Sequence, residues 1–397
     1  MSDKPSQYPL ATSSWAGEEY AALARVTASG RFSMGPEVRA AEKQFADFLG
    51  VRHSVMVNSG SSANLIMIGA LMYRSEGALV AGDEVLVPAV SWPTTYYPLH
   101  QYGLRQVFVD VDVDTLNYDL DALAAAVSDR TRAVMAVNLL GNPNDFARLK
   151  AFCDERGLIL IEDNCESLGA TFDGRQAGTF GLMGTFSSFF SHHIATMEGG
   201  FIGTDDEEMY HLLLSLRAHG WTRDLPEINR VGGAKNPDPF MESFHFLLPG
   251  YNVRPIEMEA AVAQVQIDRL PAFIEQRRRN AVTFLEVVSH YPQLRPQREL
   301  GESSWFGFSM IVDPDSGVER RDVLSTLVSH GVEVRPIVAG NFTRQPVLRH
   351  LDHRISGSLR NADVVNDHGF FVGNQERDLT RELTVLDDAL ARCLDRR

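Results

Sequence analysis

Short runs of apolar residues, rich in valine and isoleucine, recur through the first half of the chain at Ser54–Val57, Glu84–Val87, Gln106–Val109, Ala133–Val137 and Leu158–Ile161. Between them lie amphipathic stretches such as Asp119–Val127 and Asn144–Arg156. Uniformly apolar strands alternating with helices predict a mostly parallel sheet covered on both faces. Two more strands are expected at Thr185–Phe190 and Gly199–Gly203. The charged segment Arg217–Asp238, with its glycine, proline and asparagine, reads as an ordered loop or flap. Helical patterns follow at Glu257–Leu270 and Ala272–Val288. A strand–helix–strand unit, Trp305–Val312, Arg321–His330 and Val332–Pro336, then predicts a second, smaller α/β domain. The expected division is 1–255 for the large domain, with the N-terminal segment, and 256–397 for the small one.

At 397 residues and 44% hydrophobic content the chain can bury a large core. No apolar run of eighteen residues predicts a membrane span, and the polar N-terminus lacks a signal-peptide pattern, so a cytoplasmic protein is expected. A net charge of −15 without a Lys/Arg run makes nucleic acid an improbable partner. Three cysteines, none in a C-x-x-C pair, suggest neither a disulfide framework nor a cysteine-held metal. The chain has four lysines, Lys4, Lys43, Lys150 and Lys235, so any catalytic lysine must be one of these.

Four segments carry candidate chemistry, and each alone admits a plainer account. Asn58-Ser59-Gly60-Ser61-Ser62-Ala63-Asn64 follows a strand and opens an apolar helix. That suits a phosphate site, or an ordinary serine cap. Asp163 ends a buried strand, where it can pair with a protonated ring nitrogen or simply begin a turn. Ser187 to Gly200 contains His192-His193 and Glu198-Gly199-Gly200. The histidines would diverge on a strand, and no third metal ligand is evident. Gly250-Tyr251-Asn252-Val253-Arg254-Pro255 suits an anion site or a turn with a surface ion pair.

In order and spacing, from about Gly30 to the C-terminal helix, these segments resemble the DegT-type sugar aminotransferase family of the aspartate-aminotransferase (fold type I) class. The resemblance implies a seven-stranded, mostly parallel sheet with a smaller C-terminal α/β domain, and pyridoxal 5'-phosphate (PLP) as cofactor. It implies that Gly60, Ser61 and Ser187 hold the cofactor phosphate, that Asp163 pairs with the ring nitrogen, and that Trp92 stacks on the ring. Asn252 would complete the neighbouring subunit's site, which implies a homodimer. Glu166 would lie near the cofactor, His219 and Phe244 would line the sugar pocket, and Arg254 would grip a donor carboxylate.

One position departs from the family. Six residues before Glu198, where the family places its Schiff-base lysine, stands His192. The chain thus looks like the branch of 4-keto-sugar 3-dehydratases that carry this histidine. The loop His219–Glu227 lacks cysteine, which points to the type without an iron–sulfur cluster. By resemblance the substrate is a GDP-linked 4-keto-6-deoxy sugar. L-Glutamate would convert noncovalently held PLP to pyridoxamine 5'-phosphate (PMP), releasing 2-oxoglutarate, and ammonia would follow. His192 would move the protons that expel the 3-hydroxyl. Two alternatives stay open: a PLP-dependent aminotransferase acting on a nucleotide-linked 4-keto sugar, and a sugar-nucleotide sensor without activity.

Overall fold

The computed structural model describes residues 6–395. In chain order the first strands are β1 (His53–Val57), β2 (Glu84–Pro88), β3 (Arg105–Val109), β4 (Thr131–Val137) and β5 (Ile159–Asp163). A small hairpin, β6 (Thr171–Phe172) and β7 (Arg175–Gln176), precedes β8 (Gly184–Ser187) and β9 (Gly200–Thr204). Then come a ribbon, β10 (Ile228–Asn229) and β11 (Gly233–Ala234), and β12 (Leu294–Pro296), β13 (Gly307–Val312), β14 (His353–Ile355) and β15 (Gly369–Gly373).

The main sheet runs β1-β9-β8-β5-β4-β2-β3-β14, and every pairing is parallel except the two made by β9. The seven strands of the sequence reading are all present. The eighth, β14, is three residues long and lies beside β3. Its His-Arg-Ile sequence has no apolar run to announce it. What holds it is tertiary: Arg354 donates to both oxygens of the buried Glu84 carboxylate, at 2.7 and 3.0 Å. Those bonds and their neighbours hold the Glu84 carboxyl down at about 2.

The C-terminal ends of β1, β2, β4, β5 and β8 emerge at one edge of the sheet, where open α/β sheets present ligand sites. The helix that follows β1, α1 and α2 having come before it at Gly17–Ser29 and Pro36–Leu49, is α3 (Gly60–Tyr73). It is buried nearly all round, with Ala63, Ile66, Met67, Ile68, Ala70 and Leu71 fully covered. A helix hydrophobic on every side is a core helix, and this one fixes the loop before it rigidly in the molecule.

Three departures from the sequence reading follow from packing. The chain leaves β8 at Ser187 instead of continuing to Phe190, so His192 and His193 sit in a turn. The two helical patterns on either side of Pro271 form one 33-residue helix, Glu257–Ser289. Its first half, with Ala260, Ile267 and Leu270, packs into a cluster with Phe45, Phe186 and Phe201. Its second half, with Ala281, Phe284 and Val288, joins the core beneath the β12-β13-β15 sheet. Burial at both ends offsets the hydrogen bond that proline removes. Finally, residues 332–336 form isolated bridges, to Tyr8 and Phe371, and no strand. Tyr8 itself lies fully buried in that second core, its hydroxyl donating to Gly373 O at 2.6 Å.

Candidate active site

A cavity of about 660 Å³ opens at the sheet edge just described. Its walls include Gly60, Ser61, Trp92, Asp163, Glu166 and Ser187, which are all of the expected cofactor residues except Asn252, together with His192.

The floor is built by close backbone approach. Ser59 caps α3, its side chain accepting from Ser62 N at 3.0 Å. A Cβ at Gly60 would come within 2.7 Å of Ser187 Cβ, and one at Gly200 within 2.6 Å of Gly60 N. Gly199, at φ +148°, has a conformation other residues rarely adopt. The Glu-Gly-Gly motif therefore exists so that β9 can lie against the start of α3. This brings the partial positive charge of a helix N-terminus, the Ser61 hydroxyl and the buried Ser187 hydroxyl to one place.

Asp163 ends β5 with 6% of its surface exposed. Its Oδ2 accepts from Asn64 Nδ2 and from Thr95 Oγ1, both at 2.8 Å, and its Oδ1 from Cys165 N at 3.1 Å. Three donors hold the buried carboxylate at the edge of the cavity. Trp92 is the N-cap of α4 (Pro93–Gln101) and is 57% exposed, free to cover a planar ligand. Glu166 receives Leu140 N at 3.0 Å, and burial pushes its carboxyl up to about 7.

His192 stands on the opposite wall. Its ring packs edge-on against Phe306, with centroids 5.1 Å apart, and against Phe189 at 6.0 Å. Its Nδ1 has no partner in the protein. Burial, and next the charge of Arg277, push the imidazole down to about 4. At neutral pH it is thus a neutral base whose ring lines the cavity. His193 diverges from it, Nε2 donating to Ser304 O at 3.1 Å. Lys43 and Lys150 lie on the surface, paired with Asp47 and Asp154, and Lys235 donates to Arg223 O. Among the described residues no lysine reaches the cavity; Lys4 lies outside them.

The four remaining candidates lie elsewhere on this chain. Arg254 donates to Asn252 Oδ1 at 3.0 Å on an exposed stretch. His219 N donates to Tyr251 O at 2.6 Å, and Phe244, 71% exposed, stacks on Trp221. Ile228, Phe240, Met241 and Phe246 are exposed as well, and Phe246 stacks on Trp221 beside Phe244. The cavity also has walls the sequence did not single out: Phe306, Cys165, Glu333 and Arg335. Phe306 falls in the expected strand Trp305–Val312, but nothing in its local pattern marks it as a neighbour of His192. Groups of three or more acidic, histidine or cysteine residues that could hold a metal do not occur among the described residues.

The chain matches the model of the DegT/DnrJ/EryC1/StrS aminotransferase family over residues 14–375. It is 53% identical over 384 residues to the GDP-4-keto-6-deoxy-D-mannose 3-dehydratase of Yersinia pseudotuberculosis, covering 96% of this chain and 98% of that one. The structure of the E. coli GDP-4-keto-6-deoxy-D-mannose 3-dehydratase with bound hydrated PLP superimposes with a TM-score of 0.96 at 54% identity, covering 98% of this chain and 100% of that one. A structure of GDP-4-keto-6-deoxymannose 3-dehydratase with a trapped PLP–glutamate adduct gives 0.95 at 54% identity, covering 96% and 100%. The α3 N-terminus, the Asp163 carboxylate and the Trp92 ring offer partners to a phosphate, a protonatable ring nitrogen and a flat face, and PLP carries all three. The chain belongs to the DegT/DnrJ/EryC1/StrS aminotransferase family.

Proposed function

We propose that this chain is a PLP-dependent 3-dehydratase that converts GDP-4-keto-6-deoxy-D-mannose to GDP-4-keto-3,6-dideoxy-D-mannose. L-Glutamate is the amino donor, and 2-oxoglutarate and ammonia are released. The oxidation of glutamate supplies the two electrons that replace the C3–O bond by C3–H, and the oxygen leaves as water. The observation that carries this reading is His192: a neutral imidazole with an unpartnered nitrogen lines a cavity built for PLP, and no lysine is described there.

Gly60, Ser61 and Ser187 hold the cofactor phosphate, Asp163 holds a proton on the ring nitrogen, Trp92 covers the ring, and Glu166 closes the adjoining wall. When bound, the cofactor supplies an amino carrier and an electron sink. His192 takes a proton from the carbon next to the reacting nitrogen and, once protonated, donates it to the departing C3 hydroxyl. A lysine could displace an amine product from the cofactor; histidine cannot, so the outcome with an easy exit is loss of water. No iron–sulfur cluster takes part.

The active form is a homodimer. The exposed apolar surface around Phe240 and Phe244 is the part of the chain that calls for cover, and it adjoins His219, Asn252 and Arg254. These residues complete the partner's site. His219 and Phe244 face the GDP sugar, Asn252 the cofactor phosphate and Arg254 the donor carboxylate. The cofactor-binding unit is built mainly from residues up to about 255 and the smaller unit mainly from those after it, with β14 and the start of the long helix joining the first and Tyr8 the second, and the protein works in the cytoplasm. No helix among the described residues is long and apolar enough to cross a membrane.

Incubation with GDP-4-keto-6-deoxymannose, PLP and nitrogen-labelled glutamate tests the reaction. The expected result is label in ammonia and a sugar product lighter by one oxygen. Label retained on a 4-amino sugar would make the chain an aminotransferase.

A further inference from the structure

The long helix Glu257–Ser289 carries Arg277 in its second half, buried to 3% exposure. Buried guanidinium groups are usually matched by a carboxylate. Arg277 instead donates to three carbonyl oxygens, Asn374 O at 2.7 Å, Phe306 O at 3.2 Å and Trp305 O at 3.5 Å, while its Nε has no partner.

Two of those carbonyls, of Trp305 and Phe306, belong to a strained turn. Trp305 has φ +48°, a conformation that costs a bulky residue about 1–3 kcal/mol and persists only where its surroundings over-determine it. Here they do. Asn374 Nδ2 also donates to Trp305 O, at 2.8 Å. From the other side, Ser304 N and Phe306 N donate to Gly141 O and Leu140 O, both at 3.0 Å. Leu140 is itself at φ +54°. The turn sends the Trp305 ring into the second core and the Phe306 ring to the cavity, edge-on to His192.

We propose that Arg277 is a positioning residue for His192: it ties down the Trp305–Phe306 turn on which the imidazole rests, and it places a positive charge behind that wall. This rests on the reading of His192 as the base. The second effect has a clear sign. A cation close behind the ring opposes its protonation and so favours the form that accepts a proton. The titratable and charged groups around His192 are its neighbour His193, Glu198 on the same loop, Asp163, Glu166, Glu333 and Arg335 in the cavity wall, and Arg277, on which Glu376 acts in turn. After burial itself, the Arg277 charge is what lowers the imidazole's affinity for a proton.

Nuclear magnetic resonance of isotopically labelled histidine in the cofactor-free protein reads this without turnover. The His192 signal is the one missing from His192→Asn. In Arg277→Met it should titrate higher than in the unaltered protein by about one pH unit, and Arg277→Lys should return it toward the original position. Phe306→Leu should leave the titration in place while lowering kcat about 10-fold or more, because it removes orientation and no charge. Melting temperatures establish which variants fold. If Arg277→Met does not fold, the lysine and Phe306 variants decide. An unmoved titration in Arg277→Met, or unaltered kcat in Phe306→Leu, overturns the proposal. Full turnover in His192→Asn would instead overturn the underlying reading of the site, so the two failures are distinguishable.

Discussion

Asn64 Nδ2 donates to Asp163 Oδ2 at 2.8 Å, while Thr185 Oγ1 donates to Asn64 Oδ1 at 2.6 Å. One amide on α3 thereby locks the ends of β5 and β8 together and aims the Asp163 carboxylate.

Asn64→Leu should therefore lower stability by about 1–3 kcal/mol, because it removes one of the three donors to the buried Asp163 and the short acceptor of the Thr185 hydroxyl. Asp163 would also lose part of its orientation, so PLP should bind more weakly. Denaturant unfolding and spectrophotometric PLP titration check the two effects together. A fully stable variant with ordinary PLP affinity would refute the locking role.

His192→Asn should lose about 10²–10⁴-fold in turnover, the usual cost of a missing general base. PLP affinity should be nearly unchanged, since the α3 N-terminus and Asp163 do the holding. Borohydride reduction of the PLP-loaded protein followed by peptide mass analysis should give no pyridoxyl-lysine. A stoichiometric adduct on any of the four lysines would show that the cofactor is held covalently after all.

Glu166 offers a pH test. Burial raises its carboxyl from the ordinary 4.5 to about 7. A carboxyl raised on folding favours the folded state while protonated. Its contribution is complete below pH 4.5 and fades as pH climbs through 7. Glu166→Gln stays neutral throughout and can still accept from Leu140 N. Relative to the unaltered protein, its melting temperature should rise between pH 5 and pH 8 in the cofactor-free state. A difference that is constant with pH would mean that Glu166 is not held protonated.

Shared active sites predict complementation. Neither His192→Asn nor a doubly altered Asn252→Ala, Arg254→Ala chain should be active alone. When the two are mixed and allowed to exchange subunits, each mixed dimer has one site with both defects and one with none. Random exchange should then restore about a quarter of the full activity, as expected for two-fold related sites. No recovery, although mass measurement shows that mixed dimers form, would place Asn252 and Arg254 in their own chain's site.

Local order alone determined a good deal of this molecule. Uniform apolar runs specify strands buried on both faces, because such residues cannot face water on either side, so the seven main strands were legible. The serine-rich start of α3, Asp163 at a strand end and His192 six residues before Glu198 were legible too, since each stands at a fixed offset from an element boundary. Tertiary structure decided the rest. β14 exists because the buried Glu84 carboxylate captures Arg354, a contact spanning 270 positions. The helix through Pro271 continues because both halves are buried in separate cores. Phe306 and Arg277 come to His192 only through the left-handed backbone at Trp305, and nothing in a tryptophan's sequence neighbourhood announces a positive φ. Strain of that kind is sustained by surrounding hydrogen bonds, here from Arg277, Asn374 and the Leu140–Gly141 backbone. It is therefore a property of the assembled fold and cannot be read from the residue that bears it.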